Sequence, residues 1–121
     1  MAEGATFGAR LKALRLARGL TLRRLADRVG LDPSTLSRLE NGRRSDPPAE
    51  ATIRRLAAEL GADPEELILL ADRLPADFAA DLLARPEAQV VELYRSMRGR
   101  RYTTEEWAEI TRLLREKGRQ A

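Results

Sequence analysis

The 121-residue sequence contains no cysteine and no histidine. Without cysteine there is no disulfide, no thiol nucleophile and no thiolate metal site. Without histidine, serine-triad chemistry and the common zinc and haem sites lose their usual base or ligand. No cofactor and no metal is expected. Aromatic residues make up only 4% of the chain, so a core drawn from its 43% hydrophobic residues must be built mainly of Leu and Ala. With abundant Glu and Arg these are good helix formers, and β-branched residues are scarce, which predicts an all-α protein. No apolar run approaches the ~20 residues that span a bilayer. The segment after Met1 lacks the basic, apolar and cleavage-site pattern of a signal peptide. A soluble, cytoplasmic protein is expected, large enough for one ordinary domain or two very small ones.

Net charge is only +3, but it is unevenly spread. Residues 1–44 carry ten basic against four acidic residues, a net of +6. Residues 45–72 carry two against seven, a net of −5. One end of the chain is thus electropositive and suited to a polyanion. Ordinary solvated helix faces are the plainer reading of the same charges.

Apolar spacing and stop signals divide the chain into short helices. Residues 6–18 place Phe7, Leu11, Leu14 and Ala17 on one face, with Thr6 as cap and Gly19 at the end. Residues 21–29 start at Thr21 and bury Leu22 or Leu25, Ala26 and Val29, and Gly30 supplies a turn. Asp32 caps 33–40, with Pro33 at the first position where a missing N–H costs nothing, and Leu36 and Leu39 inward. Asn41-Gly42 stops that helix, and Pro47-Pro48 makes the following stretch a loop. Helices over 49–60 (Ile53, Leu56, Ala57 and Leu60 inward) and from Asp63-Pro64 to about Leu70 complete a five-helix bundle. Three more follow, over 75–84, 86–98 and 104–117, the last opened by a capping box of Thr103 and Glu106, with a short frayed tail. The expected organisation is a bundle over 1–72 and a smaller three-helix region over 73–121.

Two short helices joined by a tight glycine turn, the second opening with a cap and small residues, form a helix-turn-helix. The pairing lets the second helix enter the DNA major groove end-on, while the first lies across the backbone and directs its N-terminal amides at a phosphate. A helix pair alone is weak evidence, since any bundle contains some. The string TLRRLADRVGLDPSTLSRLENGRR is more specific. With the flanking segments it resembles, over residues 6–72, the Xre family of lambda-repressor-like (Cro/CI-type) regulators. Leu25-Ala26, Val29-Gly30, Leu36-Ser37-Arg38 and Leu39-Glu40-Asn41-Gly42 carry the likeness.

The resemblance implies a five-helix lambda-repressor-like domain and a double-stranded DNA operator as partner, hence a cytoplasmic, nucleoid-associated regulator. It places Ser34, Thr35 and Arg38 at base edges. Pro33, also at a reading position, can offer only shape or a thymine-methyl contact. Arg38 is the best specificity candidate, because a guanidinium can donate two hydrogen bonds to guanine O6 and N7; a phosphate contact or a solvated side chain is its alternative. Thr21, Arg23, Arg24, Asn41, Arg43 and Arg44 are the backbone-contact candidates. Asn41 has a rival role as the helix-ending residue. Arg15 and Glu40 occupy positions that pair in the family, tying the first helix to the third. One departure stands out: many relatives carry Gln after Thr21 where this chain has Leu22.

A reader with few base contacts gains specificity by dimerising on a two-fold site. The last third supplies apolar residues for a homodimer interface, Val90, Leu93, Tyr94, Met97, Trp107, Ile110 and Leu114; completing the core of one chain is their alternative. This third also resembles the tail of DdrO-like repressors associated with ImmA/IrrE-type zinc metallopeptidases, through the Leu-Pro start, the Arg-Pro break, the basic loop and the Trp of the last helix. That resemblance implies inactivation by cleavage around Met97, Arg98, Gly99, Arg100 and Arg101. A solvated linker or added phosphate contacts is the other reading of these arginines. An antitoxin that clasps a toxin through the C-terminal helices is an alternative function. No enzyme is expected: Glu105–Glu106 and Asp77–Asp81 lack any basic, metal-binding or glycine-rich context and read as helix-end charge and solvated faces.

Overall fold

The computed structural model describes residues 6–43 and 48–120, Gln120 by its backbone alone. Among the described residues eight helices follow in order: α1 (Phe7–Ala17), α2 (Leu22–Val29), α3 (Pro33–Glu40), α4 (Glu50–Leu60), α5 (Pro64–Leu70), α6 (Ala76–Leu83), α7 (Glu87–Met97) and α8 (Thr104–Gln120). The described residues contain no strand. The fold is all-α.

Local capping explains most of the boundaries. The side-chain oxygens of Thr6, Thr21, Asp32 and Asp63 accept from the amides of Ala9, Arg24, Ser34 and Glu65 at 3.1, 3.1, 2.8 and 2.9 Å. Each satisfies one of the N–H groups that a helix start leaves without an intrahelical partner. Thr103 and Glu106 bond reciprocally through side chain and amide, at 3.1 and 2.8 Å. Helix α8 runs to Gln120, beyond the expected end at 117.

The first unit, up to Leu82, surrounds an apolar core. Leu11, Leu25, Leu36, Ile53, Leu56, Leu67 and Ile68 are fully buried, drawn from all of α1–α5. The face that α1 buries differs from the one expected. Phe7, Gly8, Leu11 and Arg15 are buried, Leu14 is half-buried and Ala17 is exposed. Phe7, Leu11 and Arg15 lie four residues apart, and a buried ion pair draws that row inward at Arg15.

Packing breaks at Leu82/Leu83 rather than at the expected 72/73. The Arg73 Nε donates to the Pro48 carbonyl at 2.5 Å, and the Ala76 amide donates to Glu50 Oε1 at 2.9 Å. These bonds, with Pro75 buried, hold the start of α6 to the first unit. The second unit therefore has two full helices, α7 and α8, rather than three. None of its described residues is buried; Val90, Tyr102, Ile110 and Glu116 are half-buried. Tyr102 and Trp107 meet edge to face with ring centroids 5.4 Å apart, and the Arg98 guanidinium lies 5.6 Å from the centre of the Tyr94 ring.

Candidate nucleic-acid interface

The turn between α2 and α3 follows from two residues. Gly30 takes a φ of +72°, a left-handed conformation open to glycine at little cost. The Leu31 amide then bonds back to the Ala26 carbonyl at 2.9 Å and closes α2. Asp32 caps α3 and Pro33 occupies its first turn. Because Leu36, Leu39 and Glu40 face inward, Ser34 and Arg38 are left exposed on the outer side, one turn apart, with Thr35 half-buried beside them.

The leading end of α3 is already a hydrogen-bonded unit. Asp32 Oδ1 accepts from both the Ser34 amide at 2.8 Å and the Ser34 hydroxyl at 2.6 Å. These bonds, the hydroxyl's first, hold the Asp32 carboxyl below the usual carboxylate range, and the charge of Arg38 adds to the effect. Ser34 has spent its single O–H, so its oxygen meets a ligand as an acceptor. Asp32 thus belongs to the candidate site as well as capping α3. The signal was the Asp-x-Ser spacing, which puts a hydroxyl within reach of the cap.

The far end of α3 is fixed by Arg15 of α1. Its Nε and Nη2 donate to Glu40 Oε2 and Oε1 at 2.7 and 3.0 Å, and its Nη1 to the Leu20 carbonyl at 2.9 Å. Both side chains are nearly buried. The hydrogen bonds that the guanidinium donates to Glu40 raise its pKa; burial opposes them and the charge of Glu40 reinforces them. One buried pair thus ties α1, the turn after it and α3. Gly8 makes the approach possible, because a Cβ there would lie 2.5 Å from the carbonyl oxygens of both Leu39 and Glu40. Gly8 was missed from sequence, where nothing local sets it apart from any other glycine.

The backbone-contact candidates are placed unevenly. Thr21, Arg23, Arg24 and Arg43 are exposed. Leu22 is half-buried and packs against the core, so it serves the bundle and leaves the outer surface to Arg23 and Arg24. The Asn41 side-chain amide donates to the Ser37 carbonyl at 2.8 Å, which occupies it at the helix end. Arg44 lies outside the described residues. In the second unit, Val90 and Ile110 are half-buried, and Leu93, Tyr94, Met97, Trp107 and Leu114 are exposed. Met97 ends α7, and Arg98, Gly99, Arg100 and Arg101 form the exposed connection to α8. Among the described residues no cluster of acidic side chains could hold a metal ion, and no helix is long and apolar enough to cross a membrane.

Comparison with known proteins adds the family. The family described as "Helix-turn-helix domain" matches residues 6–70. Among curated proteins none matches. Among solved structures, the restriction-modification controller protein C.AhdI from Aeromonas hydrophila is 39% identical, over 55% of this chain and 98% of that one, with a TM-score of 0.47. The master regulator for biofilm formation SinR, solved in complex with DNA, is 27% identical over 52% of this chain and 98% of that one, with a TM-score of 0.48. The clp gene regulator ClgR from Corynebacterium glutamicum is 28% identical over 75% of this chain and 89% of that one, with a TM-score of 0.47. The matching family is not an enzyme family. With its capped second helix, its glycine turn and its third helix tied to the first, this chain belongs to the helix-turn-helix domain family.

Proposed function

We propose that the chain is a DNA-binding transcription regulator of the Xre type, a repressor that binds a palindromic operator as a homodimer. The observation that carries this reading is the outer face of α3. Ser34 stands exposed in its first turn and Arg38 in its last, on a helix anchored through the buried Arg15–Glu40 pair. The excess of positive charge over residues 1–44 supports the same partner, because a polyanion is attracted before any base is read. In this reading Arg38 donates to a guanine edge, and Ser34 and Thr35 contact neighbouring bases. Arg23, Arg24, Arg43 and Arg44 neutralise phosphates, Thr21 donates its hydroxyl to one, and Asn41 joins them by giving up its bond to Ser37.

Selection of the operator from random duplexes, followed by titration at several salt concentrations, tests the proposal. Arg38→Ala is expected to cost about 1–3 kcal/mol at one symmetric base pair and little on unrelated sequences. Equal losses on every sequence would make Arg38 a backbone contact. No duplex retained at low ionic strength would end the DNA reading altogether.

The homodimer rests on the second unit, whose apolar side chains are exposed in a single chain; Trp107 is 46% and Leu114 68% accessible. The exposed 98–101 connection, with Gly99 at a φ of +74°, supports cleavage there by an ImmA/IrrE-type metallopeptidase as the inactivating step. Cleavage removes α8 and with it Trp107, Ile110 and Leu114. The same exposed helices would suit an antitoxin that holds a toxin, and the mass of the purified chain separates the two. A homodimer is expected alone in solution; a monomer that gains mass only with a toxin would favour the antitoxin.

A further inference from the structure

The face built by α5 and α6 takes no part in the DNA reading. Leu69, Leu74, Pro75 and Phe78 line a groove of about 410 Å³ there, with Glu65, Asp77 and Asp81 around it. Leu69, Leu74 and Phe78 are 55%, 55% and 53% accessible, which is unusual for three large apolar side chains in one groove. Pro75, between them, is buried and the start of α6 is bonded to Glu50, so the groove walls belong to the packed part of the first unit.

The charge around the groove selects what can cover it. Residues 59–81 carry seven acidic residues and one basic one. Among the described residues no ion pair engages the carboxylates of Glu65, Asp77 or Asp81. The same face of a second copy would set carboxylate against carboxylate, and such pairing is opposed by repulsion at an interface where water is being expelled. An anionic partner, nucleic acid included, is opposed for the same reason. An apolar strip with cationic flanks satisfies both features at once. That pattern is met by an amphipathic helix with apolar residues at i, i+3, i+4 and i+7 and Lys or Arg beside them.

We propose that the α5–α6 groove docks a basic amphipathic helix of a partner protein, its apolar residues on Leu69, Leu74 and Phe78 and its cations against Glu65, Asp77 and Asp81. Because this surface shares no residue with the α3 site, a partner held there leaves that site's own side chains uncovered. The inference stands whether or not the operator is found.

The test uses the full chain and a labelled synthetic helix with Leu at those four spacings and Lys and Arg elsewhere. Two control peptides accompany it, one with Glu replacing every Lys and Arg, and one of the same composition with the apolar stripe scrambled. The basic amphipathic peptide is expected to bind and both controls to fail. Phe78→Ser should weaken binding about tenfold or more, since the lost contact is a large apolar side chain. Asp81→Lys should weaken it several-fold and reduce its sensitivity to salt. Leu69→Ser gives a second apolar test should Phe78→Ser disturb α6, and the helix signal and thermal unfolding of each variant report whether the fold is intact. Equal binding of the Glu peptide or of the scrambled one overturns the proposal, as does an affinity indifferent to Phe78 and Leu69. So does a groove already covered by a second copy, seen as a dimer that Phe78→Ser dissociates, or by a segment of the same chain, seen as a monomer whose Phe78 ring signals no peptide perturbs.

Discussion

The two units of this protein bury their apolar residues very differently. In the first, a core cluster of fourteen apolar residues is buried among the described residues, and seven of the largest have essentially no accessible surface. In the second, no described residue is buried, although α7 and α8 carry Leu93, Tyr94, Met97, Trp107, Leu113 and Leu114. A segment of this size cannot enclose a core of its own and gains its stability from capping, helix propensity or another surface. The first unit is a self-sufficient platform, and the second carries apolar surface to spare. Measurements that separate these roles sharpen the contrast.

The largest effect is expected in the core. Leu36→Ala, at a fully buried position, should cost about 2–5 kcal/mol through lost burial and the cavity left behind. Chemical denaturation followed by helix signal would show it, and a loss under 1 kcal/mol would mean that the platform is looser than its burial implies. Next comes the tie between α1 and α3. Glu40→Ala strands the buried Arg15 guanidinium and should destabilise by about 3 kcal/mol, because a charge loses its partner without regaining water. Gly8→Ala should cost about 1–3 kcal/mol, since α1 must move off the Leu39 and Glu40 carbonyls.

A smaller effect belongs to Asp32, and it depends on pH. Its carboxyl is depressed in the folded protein, so its contribution is present above the ordinary carboxylate range and is lost as pH falls through the depressed value. Asp32→Ala should therefore lower Tm at neutral pH and leave it little changed in acid below that value. An equal loss at both would deny the carboxylate its role. The smallest effect is expected in the second unit. Trp107→Ala should leave the unfolding of the first unit within about 0.5 kcal/mol of its original stability. Under the proposed homodimer, the same substitution should shift the mass in solution toward monomer. A first unit strongly destabilised by losing Trp107 would dissolve the contrast between the two regions.

Much of the helical layout was legible because its signals are local. Thr6, Thr21, Asp32 and Asp63 each cap a helix within three residues, and the Thr103–Glu106 box closes over the same distance. The interior faces of α2 and α4 follow from apolar spacing alone, and that of α3 does so except at Glu40. Periodicity was less reliable for α1, where a charged residue belongs to the buried row and Ala17 does not. It also carries no sign of the bonds that hold Arg73 and Ala76 to Pro48 and Glu50, which span some 25 residues. No window of spacing contains them.

The sequence by itself determined the all-helical class, the caps, the glycine turn between α2 and α3, and the outward position of Ser34 and Arg38. Each depends on neighbours a few residues away, where backbone geometry and hydrogen-bond reach settle the outcome. Only the tertiary structure decided the two-pronged grip of Arg15 on Glu40, the need for a residue without a side chain at Gly8, and the acidic groove of Leu69, Leu74 and Phe78. These arise where separate helices converge, and convergence is set by the packing of the whole core rather than by any local stretch of chain.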